Sequence, residues 1–200
     1  MKNFKPVRLI ADERIILENP TQIIRAIGAI DNFFKIVGVT DIVNVSIHDL
    51  VDVAFLDIEQ NETKKVMSGG ALVGYMLIRE YKTQWEYIEF LIVRDSLLME
   101  NDKIVHGLAR YNSFGIASVG REDTKKNMLF AYLAVIHEMG HIYGLPAKDR
   151  LDQDLVKVLG NHCPNDCVMF PNNMCMNKID IINNPFCNQC LSDLRKYFGK

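Results

Sequence analysis

The chain has 200 residues, 48% hydrophobic and 24% charged, enough for one globular domain with a sizeable core. Its 23 basic and 25 acidic residues give a net charge of -2, which offers no electrostatic basis for binding nucleic acid or an anionic membrane surface. No apolar run approaches a bilayer-spanning length, the best being Met128 to Ile136, and Asp12, Glu13 and Arg14 interrupt the amino terminus before a signal-peptide core forms, so a cytoplasmic location is expected.

Lys5 to Ala11 reads as a first strand. Asn19 then marks a helix start, with Pro20 at the first helical position and Gln22 in capping-box register. Ile23, Ile27, Ile30 and Phe34 recur at helical spacing up to Gly38, which predicts a long amphipathic helix from Pro20 to Val37. Val43, Val45 and Ile47, and then Val51, Val53 and Phe55, alternate like strand residues, with a turn expected around His48 to Leu50. Leu72 to Arg79 and Glu86 to Val93 alternate only weakly and predict central strands covered on both faces. Between Ile104 and Val119, glycines and small residues break short apolar pieces in the manner of a hairpin or edge strand.

The next helix carries the chemistry. Asp123 or Thr124 is placed to cap it, Met128 to Ile136 is apolar nearly all round, and Gly144 with Pro146 ends it. At its end stand His137, Glu138 and His141, an HExxH motif. Residues i and i+4 share a helix face, so the two histidines can bind one zinc while Glu138 projects toward a metal-bound water. Such polar groups on a buried helix are costly unless satisfied, and a metal satisfies them.

A catalytic zinc needs a third protein ligand. Gly144 suggests the longer pattern HExxHxxGxxH, but the position that pattern requires holds Ala147. His162 follows fifteen residues later, with Cys163, Cys167 and Met169 behind it and a CxxC at Cys187 and Cys190. A CxxxC and a CxxC suggest a tetrathiolate zinc site, and clustered cysteines in a reducing compartment favour metal ligation over disulfides. Asp149 or Asp152 is the alternative third ligand to His162, since carboxylates also bind zinc.

In these residues the chain resembles the archaemetzincins, a family of metzincin-type zinc peptidases. Their pattern runs HExxHxxGxxHC, a second cysteine, a nearby methionine and a distant CxxC, matched here by His137, Glu138, His141, Gly144, His162, Cys163, Cys167, Met169, Cys187 and Cys190. The stretch VHGLARYNSFGIASVGRE is also similar to the family's segment before the motif helix. The likeness covers roughly the carboxy-terminal half. Two departures stand out: the fifteen-residue insert Ala147 to Asn161, and three residues rather than four between Cys163 and Cys167. Leu151, Leu155 and Leu159 recur at helical spacing, which predicts a short amphipathic helix in the insert, placed to narrow the cleft or act as a lid.

The resemblance implies an α+β, metzincin-like fold: a twisted mixed sheet, two long helices and a small cysteine-rich carboxy-terminal subdomain. Residues 1–200 are expected to form a single catalytic domain, with 1–144 carrying the sheet, edge strand and motif helix and 145–200 the insert, third histidine, methionine turn and cysteine site. It further implies a catalytic zinc on His137, His141 and His162, a structural zinc on Cys163, Cys167, Cys187 and Cys190, and a methionine turn at Met169. Glu138 is the expected general base for hydrolysis of a peptide or protein substrate. Gly115 to Val119 is the expected edge strand that aligns the substrate. Two rivals remain, a non-catalytic zinc-stabilised interaction module and a thiol oxidoreductase using Cys187 and Cys190. His48 and His106 read as ordinary structural or surface histidines, Trp85 and Tyr87 as core, and Cys175 as the odd thiol out.

Overall fold

The computed structural model describes residues 4–39, 47–61, 64–120, 125–171 and 180–200. The expected strand residues Val43 and Val45, the cap candidates Asp123 and Thr124, and Cys175 lie outside these.

In chain order, strand β1 (Val7–Asp12) runs into a short helix α1 (Glu13–Glu18) and the long helix α2 (Thr21–Val37). Strands β2 (Ile47–Val51), β3 (Asp57–Asn61) and β4 (Lys64–Ser68) precede helix α3 (Gly69–Lys82). Strand β5 (Ile88–Val93), the short strands β6 (Leu97–Leu98) and β7 (Ile104–Val105), and the hairpin β8 (Gly107–Arg110) with β9 (Phe114–Ser118) lead to the motif helix α4 (Lys125–Ile142). Helices α5 (Gln153–Val158), α6 (Asp180–Asn183) and α7 (Asn188–Phe198) complete the chain.

The main sheet has the order β2-β1-β5-β9-β8, in which all neighbours are parallel except the antiparallel pair β8/β9. Strands β3, β4, β6 and β7 form a smaller sheet. Side chains of the main strands alternate between two cores, as a period of two requires. Leu9, Ala11, Phe90, Ile92 and Ala117 join α2, α4 and the carboxy-terminal residues Met169, Phe186, Leu194 and Phe198. Ile10, Leu91, Val93 and Ile116 join Leu72 and Met76 of α3. The mixed sheet is therefore covered on both faces, and β5, buried at all six positions, is the central strand that its weak alternation implies.

Several expectations are corrected. Leu72 to Arg79 is helix, not strand: Ser68 caps α3 through Ala71 N–H, and Leu72, Met76 and Glu80 fall on one buried face. Exposed Leu77, Ile78 and Tyr81 on the other face hide that period in the sequence. His48 to Leu50 lies within β2 rather than in a turn, because β2 extends β1 in parallel, with a register shift between Leu9 and Ile10. Beyond Val51 the alternation stops at a 3-10 turn, Ala54–Leu56, which leaves Phe55 exposed. The capping box at Gln22 does not form: Pro20 occupies the cap position, and the buried Gln22 amide has no hydrogen-bond partner. Trp85 is 46% exposed with φ 65°, set against Arg110 in the turn after α3, so it is not core. No helix among the described residues is long and apolar enough to cross a membrane.

Candidate functional site

Helix α4 lies beneath β8 and β9 and against α2. Leu133, Ala134, Val135, Ile136, Met139 and Ile142 are buried around its circumference, as the all-round apolar sequence requires. Its last turn brings His137, Glu138 and His141 to the base of β8. The helix then stops in a Schellman turn: Leu145 N–H donates to the Gly140 carbonyl and Gly144 N–H to the His141 carbonyl, with Gly144 at φ 85°. That turn points the Leu145 carbonyl back at His141, whose Nδ1 lies 2.8 Å away.

The insert repeats the device. Helix α5 ends with Asn161 N–H on the Val156 carbonyl and Gly160 N–H on the Lys157 carbonyl, and both Gly160 and Asn161 take left-handed φ. The reversal sets the Leu159 and Gly160 carbonyls 3.0 and 2.9 Å from His162 Nδ1. His137 Nδ1 in turn lies 2.7 Å from the Val168 carbonyl. Each Nδ1–H therefore has a backbone acceptor, the arrangement that leaves Nε2 as a lone pair and fixes the ring.

The three rings converge, with centroids 4.7, 5.1 and 5.1 Å apart, and His137 and His141 bring their Nε2 atoms to 3.0 Å. Ligands about 2.0–2.1 Å from a tetrahedral zinc stand about 3.3 Å from one another, so these imidazoles fit such an ion. The structure thus brings His162 across the insert to the two motif histidines. Asp149 pairs instead with Lys196, and Asp152 with Arg150, and neither joins the histidine group.

Burial sets the electrostatics. It pushes His137 down to about 3 and His141 to about 4, with neighbouring histidines adding to the shift, so both rings stay neutral and available as ligands. Burial also pushes Glu138 up to about 8. Its carboxylate sits against Gly107 of β8, where an added Cβ would lie 2.3 Å from Glu138 Oε1. Met169 is buried under the helix, and a Cβ on Gly140 would meet its Sδ at 2.4 Å.

The four cysteines gather beside this site. Cys163 and Cys187 sulfurs are 3.8 Å apart and Cys167 and Cys190 sulfurs 3.9 Å, close to the roughly 3.8 Å edge of a tetrahedron with 2.3 Å zinc–sulfur bonds. Backbone N–H groups of Asn165 and Cys190 point at Cys163 and Cys187 sulfurs. The donors are those expected around thiolates.

Other expectations are revised. Gly115 to Val119 is not an edge, since β9 lies between β5 and β8; among the described residues the sheet ends at β8. The insert helix covers Gln153–Val158 and buries Val156, while Leu151, Leu155 and Val158 face solvent, because the chain docks through Arg150 and Val156 rather than the leucine row. With α7 and Tyr111 of the hairpin tip, the insert walls a cavity of about 600 Å³ next to His141. His106 contacts Phe130 edge-on and Ser96 through Nδ1, as a structural histidine does. The sequence reading missed Arg150 and the Val168 carbonyl. A glycine inside a strand, as at Gly107, does signal close approach of another group.

No protein-family model and no curated protein sequence matches the chain. Solved structures do match its fold. An archaemetzincin from Methanopyrus kandleri aligns with TM-score 0.64 at 16% identity, covering 98% of this chain and 97% of that one. A zinc-dependent peptidase from Methanocorpusculum labreanum aligns with TM-score 0.53 at 16% identity, over 94% and 99% of the two chains. An archaemetzincin from Archaeoglobus fulgidus, crystallised with malonate, gives 0.58 at 14% identity over the same shares. Over nearly its whole length, the chain has the archaemetzincin fold.

Proposed function

We propose that the chain is a zinc-dependent peptidase with a catalytic zinc on His137, His141 and His162 and a second, structural zinc on Cys163, Cys167, Cys187 and Cys190. The observation that carries this reading is the convergence of three imidazoles, each with Nδ1 on a backbone carbonyl, beside a carboxylate 4% exposed. The names of the fold neighbours point the same way. Residues 1–144 then carry the sheet and motif helix, and 145–200 the insert, the third histidine and the cysteine site. Four closely gathered thiols suit a reducing, cytoplasmic setting.

Zinc in such a site supplies a Lewis acid that acidifies water and polarises a carbonyl. Glu138 takes the proton of the attacking water on its carboxylate and returns it to the leaving amine. The edge of β8, to which no strand pairs among the described residues, offers N–H and C=O groups to an extended peptide, and β8 crosses directly over Glu138 at Gly107. Met169 supports the helix from beneath.

Metal analysis of the purified chain should find two zinc ions, and an unbiased peptide library should be cleaved, with chelation abolishing cleavage and zinc restoring it. Two zinc ions without cleavage would favour an interaction module; disulfide turnover without zinc would favour a thiol oxidoreductase. A sharper expectation concerns Gly107→Ala. The added methyl requires the Glu138 carboxylate to move, and misplacing a reacting group by about 1 Å costs on the order of 100-fold in rate. Steady-state kinetics should show that loss in kcat with zinc content unchanged.

A further inference from the structure

Arg150 is the most heavily used buried cation near the site. Its side chain is 1% exposed, and its guanidinium is shared among two carboxylates and two cysteine sulfurs. Nε and Nη2 grip both Asp152 oxygens at 2.9 Å. Nη1 points at Cys190 Sγ and Nη2 at Cys163 Sγ, each at 3.5 Å, while Asp193 lies 3.6 Å from Nη1. A buried cation aimed at two sulfurs belongs with thiolates, and four thiolates around a divalent ion leave two negative charges for it to offset in part.

The placement of these partners matters more than the charge. Asp152 is the residue before α5, the helix whose terminal turn holds His162 Nδ1, and His162 is bonded to Cys163. Arg150 therefore closes a ring: from Cys163 Sγ through its guanidinium to Asp152, along α5 to the Gly160–Asn161 turn, and through His162 back to Cys163.

We propose that Arg150 is a positioning residue that couples the two metal sites, clamping the insert to the cysteine cluster so that its end turn presents His162 to His137 and His141. The inference rests on the two-zinc reading above. Arginine suits the task because a planar fork reaches a carboxylate and two sulfurs at once, which a lysine point charge does not.

The test uses the full chain loaded with zinc or cobalt, as wild type, Arg150→Met, Arg150→Lys and Asp152→Asn. Zinc content and cobalt spectra separate the sites, since thiolate charge-transfer bands report the cysteines and ligand-field bands the histidines. Arg150→Met should weaken metal binding at the histidine site by about 10- to 100-fold, the usual cost of losing an outer-sphere partner. Lysine should not restore it. Asp152→Asn, which leaves every sulfur contact in place, should weaken the histidine site while the thiolate bands stay as in wild type, and it decides the matter if Arg150→Met does not fold. Unchanged histidine-site affinity in Asp152→Asn, or full rescue by lysine, would overturn the coupling while the two-zinc reading stands. Wild type lacking thiolate–cobalt bands would overturn both.

Discussion

Replacing Glu138 with glutamine is expected to lower kcat and kcat/KM together by about 10²- to 10⁴-fold, with zinc content unchanged. Glutamine keeps the shape that fits against Gly107 but has no basic oxygen to take a proton, so the loss falls on the chemical step rather than on substrate binding. The same variant separates the base from its surroundings by pH. Burial raises the Glu138 carboxyl from 4.5 to about 8. A group raised in this way contributes stability below its unfolded value that is lost as pH climbs through the folded one. His137 and His141 are depressed from 6.5, so their contribution is lost in the opposite direction, as pH falls from 6.5 toward about 3 and 4. Between pH 6.5 and 8 the carboxyl therefore acts without them. With the histidine site stripped of metal and the cysteine site loaded, wild type should lose thermal stability over that window relative to Glu138→Gln. Parallel melting curves would mean that the carboxyl escapes its buried position once the metal leaves.

What could be read in the sequence was what is local. His137, Glu138 and His141 follow from a four-residue spacing on one helix, and the Gly144 stop follows from the need for left-handed backbone at a helix end. The order β5, hairpin, motif helix also followed from local composition. His162 was harder, because fifteen residues intervene and only the folded insert shows that the Gly160–Asn161 reversal carries the chain back to the histidines. Helix α3 was misread because Leu77, Ile78 and Tyr81 make its solvent face as apolar as its buried one. Choosing between β8 and β9 as the edge requires the strand order, which depends on long-range pairing that periodicity does not contain. The leucine row of the insert was misassigned in the opposite sense: its spacing is helical, but a buried arginine, not the leucines, anchors the segment. Arg150 carries no motif. Its sulfur contacts are with Cys163 and Cys190, distant in sequence from one another.

Loss of one cysteine should cost more than loss of one histidine, although each removes a single ligand. Cys163, Cys167 and Cys190 are buried in the same core as Phe186, Leu194 and Phe198, so the zinc proposed for them would tie the carboxy-terminal residues to α2 and the sheet. Structural zinc on cysteine sites contributes on the order of 10–16 kcal/mol, as much as the whole stability of an ordinary domain, about 5–15 kcal/mol. The Val168 carbonyl that orients His137 lies between Cys167 and Met169, and His162 precedes Cys163, so the histidine site depends on the same segment. Cys190→Ser should therefore lose both zinc ions and its cooperative melting transition. His141→Ala should lose one zinc ion and still melt cooperatively, because the half-buried His141 is not part of the hydrophobic core. Metal counts beside calorimetry on the two variants make the comparison. A Cys190→Ser chain that keeps one zinc and the wild-type Tm would place the structural anchor of the fold elsewhere.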